Sequence, residues 1–257
     1  MSKLQIALDF VDLSRALKAA EAAVAGGADI LEAGTPLIKS EGLNAVRQLH
    51  SRFPGIPIVA DMKTMDAGRI EMESAAKAGA KLVTVLGVSS RATIEECAEA
   101  GRNYGVEIGV DLLGVSDPVA LATYCEEIGI HELGVHVGID EQMRGRDPFE
   151  LLKKVREAVR LRISLAGGIN SETAAAAVEA GADIVIVGGA VIKAADVKAA
   201  TGTIKEVMRS GKAVETDLFR RVGGDEALEL LLKTSTPNIS DAMHRSGSFQ
   251  GLSRISG

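Results

Sequence analysis

One phrase, nearly repeated three times, constrains the fold of this chain more than any other feature. Ala25-Gly-Gly-Ala-Asp-Ile-Leu-Glu-Ala-Gly34 returns as Ala78-Gly-Ala-Lys-Leu-Val-Thr-Val-Leu-Gly87 and again as Ala180-Gly-Ala-Asp-Ile-Val-Ile-Val-Gly-Gly189. Each copy reads as a helix end, a Gly stop, a short turn and an apolar strand that ends in Gly. Gly suits the stop because the residue after a helix often turns left-handed, where a Cβ is costly. The strands are apolar almost throughout rather than alternating, as expected for parallel strands covered on both faces. A helix-turn-strand phrase echoed along 257 residues predicts a (β/α)8 TIM barrel.

Strand candidates at Leu4–Asp9, Asp29–Ala33, Pro57–Met62, Leu82–Leu86, Val106–Leu112, Glu132–Val137, Arg162–Ala166 and Asp183–Val187 make eight. Helices are expected after Asp12 as N-cap, from near Ser40, from near Ala67, over Ala92–Tyr104, and after the two Asp-Pro starts at Asp117 and Asp147. The barrel is assigned to residues 1–210 and a short C-terminal extension to 211–257. In that extension Lys212–Gly224 reads as a linker and Asp225–Lys233 as a short helix. It is too small to bury a core of its own.

Composition excludes several classes. Aromatics are 3% and the net charge is −6, which argues against a nucleic-acid partner. There is no 18-residue apolar run and no signal pattern, so a cytoplasmic protein with no membrane partner is expected. Cys97 and Cys125 lack CxxC spacing and read as small buried hydrophobes.

In such barrels chemistry sits on the loops that follow the strands. Here the strand ends carry Asp9, Glu32, Asp61-Met-Lys63-Thr-Met-Asp66, Asp111 and His136. Five acids, a Lys and a His on one rim exceed what solubility requires. Glu32 and Asp61 are on adjacent strands, and their hard oxygens suit Mg²⁺, with Mn²⁺ the alternative, better than Zn²⁺. Lys63 follows Asp61 by two residues, which places both on one side of an extended segment. His136 is the histidine placed to act as a general base, whereas His50 and His131 read as solvated and His244 belongs to the tail. Gly167-Gly168 and Gly188-Gly189 follow the last two strands, where backbone N–H groups commonly cradle a phosphate.

Together these residues resemble the orotidine-monophosphate-decarboxylase superfamily, whose acid-Lys-acid motif Asp61-x-Lys63-x-x-Asp66 matches in spacing and type. Over residues 3–205 the resemblance is closest to the 3-hexulose-6-phosphate synthases, supported by Gln5–Asp9, Leu31–Pro36, Asp61–Asp66, His136–Gln142 and Val187–Val191. The resemblance implies a reversible Mg²⁺-dependent aldol reaction of formaldehyde with D-ribulose 5-phosphate through a metal-stabilised 1,2-enediolate. It implies Glu32 and Asp61 as metal ligands, His136 as base, Lys63 as electrostatic stabiliser, and Asp9 and Asp111 as holders of hydroxyls or of Lys63. Gly167, Gly168, Gly188 and Gly189 would bind phosphate. Asp66 would reach into the partner's site of a homodimer.

The 3-keto-L-gulonate-6-phosphate decarboxylases are the alternative. They usually carry Glu at Asp111, Arg near Ile139, Thr at Ala166 and Arg at Gly189, and all four differences favour the synthases. Synthases often carry Thr where this chain has Val137. A non-catalytic phosphosugar-binding barrel is the other alternative, and intact Asp61, Lys63, Asp66 and His136 argue against it. In the tail, Thr236–His244 resembles the opening helix of an RraA-like domain, so that 211–257 would be its truncated start.

Overall fold

The computed structural model describes residues 2–138, 148–216 and 224–242. Eight strands alternate with helices: β1 (Lys3–Leu8), β2 (Ile30–Ala33), β3 (Ile58–Thr64), β4 (Leu82–Leu86), β5 (Glu107–Asp111), β6 (Glu132–His136), β7 (Arg162–Ala166) and β8 (Ile184–Val187). All pair in parallel with their sequence neighbours, and β8 closes on β1. This is a (β/α)8 barrel.

The repeated phrase has one physical basis. Gly27, Gly79 and Gly181 have φ of 99°, 97° and 100°. Behind each, the next residue's N–H reaches five residues back at 3.1 Å: Ala28 to Ala23, Ala80 to Ala75, Ala182 to Ala177. This closure satisfies otherwise unpaired helix-end carbonyls and turns the chain back toward the sheet.

Each strand then divides its side chains between two cores. One set, including Leu4, Ile6, Leu31, Val83, Val110 and Leu133, packs under the helices. Ile30, Val59, Leu82 and Ile184 form a separate buried cluster, joined by Ile186. Because side chains alternate along a strand, these are the residues that fill the lower barrel interior. Two residues further along the same rows stand Glu32, Asp61 and Thr84. The interior is therefore apolar below and polar toward the strands' C-terminal ends.

The helices of the first half are α1 (Leu13–Ala25), α2 (Thr35–Glu41), α3 (Asn44–Arg52), α4 (Gly68–Lys77), α5 (Arg91–Tyr104) and α6 (Pro118–Glu127). Those after the undescribed stretch are α7 (Pro148–Ala158), α8 (Ala174–Glu179), α9 (Gly189–Ile192) and α10 (Val197–Ser210). Asp12, Ser90, Asp117 and Asp196 each accept a backbone N–H as N-caps. The Asp147 start lies outside the described residues.

Two expectations are corrected. In place of one helix from near Ser40, α2 begins at Thr35 with Pro36 in its first turn, Gly42 (φ 62°) follows it, and α3 restarts at Asn44. Nor is β3 simply extended through Lys63. The β3–β4 register shifts between Ala60 and Thr64, and Lys63 has φ 47°.

The chain divides into two compact units, Met1–Thr216 and Asp217–Gly257. In the second, α11 (Gly224–Lys233) and α12 (Thr236–Ala242) are described. Among the described residues no helix is long and apolar enough to cross a membrane. Cys97 and Cys125 are buried and unpaired, and burial pushes both thiols up to about 12.

Candidate active site

The site grows out of the β3 bulge. Lys63 takes a left-handed backbone, uncommon for a side chain with a Cβ. Its N–H, turned out of the ladder, bonds to Thr84 Oγ1 at 3.1 Å. Thr84 in turn donates to Asp61 Oδ1 at 2.8 Å. Thr35, at the start of α2, donates to the other Asp61 oxygen at 2.7 Å. The buried Asp61 carboxylate is thus held from both sides.

From this bulge the Lys63 ammonium lies 3.1 Å from Asp61 Oδ2 and 2.8 Å from Asp111 Oδ2 at the end of β5. Burial works against its charge, but the two carboxylates outweigh burial and hold its pKa above the ordinary lysine value. Burial likewise opposes the Asp111 charge. The His136 hydrogen bond and Lys63 win there, and the carboxyl falls to about 2. Asp111 Oδ1 also accepts the Leu113 N–H at 2.9 Å. His136, at the end of β6, turns Nδ1 toward Asp111 Oδ2 at 3.4 Å. One carboxylate therefore orients both the lysine and the histidine.

The opposite wall is acidic. Glu32 is 7% exposed and takes one bond, from Gln5 Nε2 at 2.6 Å. Its pKa is raised well above the usual 4.5, first by burial, then by the charges of Asp61 and Asp9. Asp9 is raised for the same reasons, burial and then Asp61, with Lys63, His136 and Lys193 opposing. Its carboxylate lies against the Cα of Gly34, where a Cβ would overlap Oδ1. On its other side a Cβ at Gly188 would come within 3.1 Å of Oδ2. Asp9, Glu32 and Asp61 therefore repel one another in a partly dry pocket, and this donor set is suited to a hard cation.

Gly167 (φ 116°) and Gly168 (φ 71°) turn left-handed after β7, whereas Gly188 and Gly189 lead from β8 into α9. Asp66 stands apart, exposed before α4 next to exposed Met65 and Ile70. Of the other histidines, His50 is exposed, while His131 accepts the Ile108 N–H at 3.1 Å. Ile139 to Gln142 and His244 lie outside the described residues. Gln5, Thr35 and Thr84 are not among the residues expected from sequence. A polar residue at an inward position of an otherwise apolar strand is the signal available for Gln5 and Thr84.

Known proteins share this arrangement of strands. The model of the orotidine 5′-phosphate decarboxylase / HUMPS family matches residues 2–204. The 3-hexulose-6-phosphate synthase of Methylomonas aminofaciens is 41% identical over 205 residues, covering 79% of this chain and 98% of the relative. A crystal structure of 3-hexulose-6-phosphate synthase from Salmonella typhimurium superposes with a TM-score of 0.78 at 38% identity, covering 82% of this chain and all of that one. The crystal structure of 3-keto-L-gulonate-6-phosphate decarboxylase from Vibrio cholerae gives 0.72 at 26% identity, covering 82% and 99%.

Proposed function

The chain belongs to the orotidine 5′-phosphate decarboxylase / HUMPS family, and we propose that within it this chain is a 3-hexulose-6-phosphate synthase. It would be an aldehyde-lyase that joins formaldehyde and D-ribulose 5-phosphate to D-arabino-3-hexulose 6-phosphate, reversibly, through a 1,2-enediolate. The observation that carries the reading is Asp111 holding Lys63 at 2.8 Å and His136 at 3.4 Å across from buried Glu32. Identity of 35–41% to named synthases supports it, against 26% to the Vibrio cholerae decarboxylase.

The chemical problem is to remove a carbon-bound proton beside a ketone. With Nδ1 turned to Asp111, His136 presents Nε2 to the C1 proton. The C1 carbanion equivalent then forms the new C–C bond with formaldehyde, and the proton returns to the alkoxide so generated. Lys63, kept charged by Asp61 and Asp111, stabilises negative charge on the substrate oxygens. Asp9 would hold substrate hydroxyls. Backbone N–H groups of Gly167, Gly168, Gly188 and Gly189 would take the phosphate.

Among the described residues no three His, Cys, Asp or Glu side chains form a ready-made metal cage. Glu32 and Asp61 would hold Mg²⁺ or Mn²⁺ with positions left for water and substrate oxygens. A hard cation there supplies Lewis-acid stabilisation of charge on the ketone and its neighbouring hydroxyl. Exposed Asp66, Met65 and Ile70 are the face on which a homodimer with shared sites would form.

The test is formaldehyde consumption with ribulose 5-phosphate and Mg²⁺, beside samples with EDTA, with His136→Ala, and with 3-keto-L-gulonate 6-phosphate as the sole sugar. Consumption that collapses in EDTA and in His136→Ala supports the synthase, and mixing His136→Ala with Asp66→Ala should restore part of it if sites are shared. Carbon dioxide release from the gulonate without formaldehyde consumption would replace the synthase with the decarboxylase.

A further inference from the structure

The family match stops at residue 204, and the chain continues through α10 into a short extended segment, 211–216. This segment belongs to the same compact unit as the barrel. Its side chains at 211–215 are exposed and hold no core position. Its first two N–H groups bond back to the end of α10, Gly211 to the Val207 carbonyl and Lys212 to Ser210 Oγ. Beyond them the segment is tied by hydrogen bonds to the loop between β7 and α8. The Val214 N–H donates to the Ser171 carbonyl at 3.0 Å, and Ser171 Oγ donates back to the Val214 carbonyl at 2.7 Å. The Thr216 N–H donates to Glu172 Oε1 at 3.0 Å.

The other end of that loop is the Gly167-Gly168 turn. Between them Asn170 Oδ1 accepts the N–H groups of Glu172 and Thr173, at 2.8 and 3.2 Å, while the Asn170 N–H bonds to Thr173 Oγ1 at 3.1 Å. Ile169 is buried, and Ser171 is 8% exposed. Residues 169–173 thus form a rigid knot with the glycine turn on one side and the 211–216 segment on the other. A turn of two left-handed glycines is costly to order on its own, because Gly loses the most backbone freedom on being fixed. A knot anchored from outside lowers that cost at the moment a ligand binds.

We infer that the 211–216 segment is a clamp on the β7 loop, and that Ser171 and Val214 are positioning residues that set affinity for the substrate's phosphate group. The inference rests on the assignment of Gly167 and Gly168 to the phosphate cradle. It adds a part that the family pattern does not contain. The clamp touches no reacting atom, so it acts on binding and leaves the C1 proton transfer alone.

The experiment uses the full chain with Ser171→Ala, which removes the hydroxyl donor, Val214→Pro, which removes the N–H donor, and Ser171→Thr as the conservative control. The probes are ribulose 5-phosphate in turnover and inorganic phosphate in calorimetry, with hydrogen exchange read at the amides of residues 167–173. Losing one hydrogen bond's worth of preorganisation should raise KM, and the Kd for phosphate with it, about five-fold in Ser171→Ala and in Val214→Pro. kcat should stay within about two-fold, because the interaction removed acts on binding alone. The loop amides should exchange faster, and Ser171→Thr should behave as wild type. A phosphate Kd equal to that of the wild type in both variants overturns the clamp, as does a fall in kcat at unchanged KM. A wild-type protein that binds phosphate but consumes no formaldehyde defeats the synthase reading and leaves the clamp to be judged on the phosphate Kd. One that binds no phosphate overturns the clamp itself.

Discussion

The two ends of the barrel each gather a cluster of ionisable side chains, and the clusters are built on opposite principles. At the strands' N-terminal ends, Arg162 bonds Glu107 and, at 2.8 Å, Glu132, while Lys81 reaches Glu107 at 3.1 Å. Two carboxylates face two cations. Burial opposes the Glu107 charge, but Arg162 and Lys81 overcome it and its pKa is lowered; Glu132 is more deeply buried, and burial wins over Arg162. At the C-terminal ends four carboxylates, Asp9, Glu32, Asp61 and Asp111, crowd around Lys63 and His136. There the like charges of Asp61 and Asp9 add to burial in raising Glu32. Matched charges close the bottom of the barrel. Unmatched charges at the top cost stability that the proposed cation would offset, which is the expected signature of a site rather than a seal.

The largest effect should come from Lys63→Ala. It removes the cation that bridges Asp61 and Asp111 and leaves the two carboxylates facing each other. Loss of an electrostatic stabiliser of this kind should lower kcat roughly 10³-fold, measured as formaldehyde consumption at saturating ribulose 5-phosphate and Mg²⁺. A loss below about ten-fold would mean that Lys63 is only a structural member of the rim. At the other end, Arg162→Met should do the reverse. It leaves Glu132 buried without its guanidinium and should cost about 3 kcal/mol, the low end for breaking a buried ion pair because this guanidinium is partly solvated. At about 2–4 °C per kcal/mol for a domain of this size, Tm should drop by roughly 6–12 °C. Turnover at 25 °C should remain near that of the wild type. A kcat loss comparable to that of Lys63→Ala would remove the distinction between the two ends.

Much of this contrast is legible in the sequence, and unevenly so. The eight strands fall within a residue or two of the apolar runs because a Gly closure precedes and a Gly or acid ends so many of them. The rim acids are legible because a charged residue at the end of a buried strand has few other reasons to be there. The bottom cluster is not: Glu107, Glu132 and Arg162 stand at strand starts, where a charged residue reads equally well as solvated. The β3 bulge leaves no mark, since Lys63 has no Gly beside it to announce φ 47°. Thr35-Pro36 is hard to see as a helix start because the preceding strand ends two residues earlier. The segment 212–216 reads as a linker because backbone and hydroxyl hydrogen bonds leave no hydrophobic pattern.

The smallest effect tests the mismatch itself. Glu32→Gln removes one of the repelling charges and keeps a group of the same size that can hydrogen-bond Gln5. The folded-state pKa of Glu32 is raised above its usual 4.5. In cation-free protein its contribution to stability is therefore fully present below pH 4.5 and is lost as pH rises through the folded value. Glu107 has the opposite sign: its contribution is present above 4.5 and is lost as pH falls through its lowered folded value. Comparing Glu32→Gln with wild type at each pH cancels the Glu107 limb and isolates Glu32. In EDTA the variant should melt about 2–4 °C higher than wild type at pH 8, corresponding to about 1 kcal/mol, and the gap should close toward pH 4.5. Saturating Mg²⁺ should reverse the order at pH 8, because the wild type keeps both of the proposed carboxylate ligands and the variant only one. A gap that is flat in pH would show that Glu32 is not charge-strained, and a gap that Mg²⁺ leaves unchanged would remove Glu32 from the cation site.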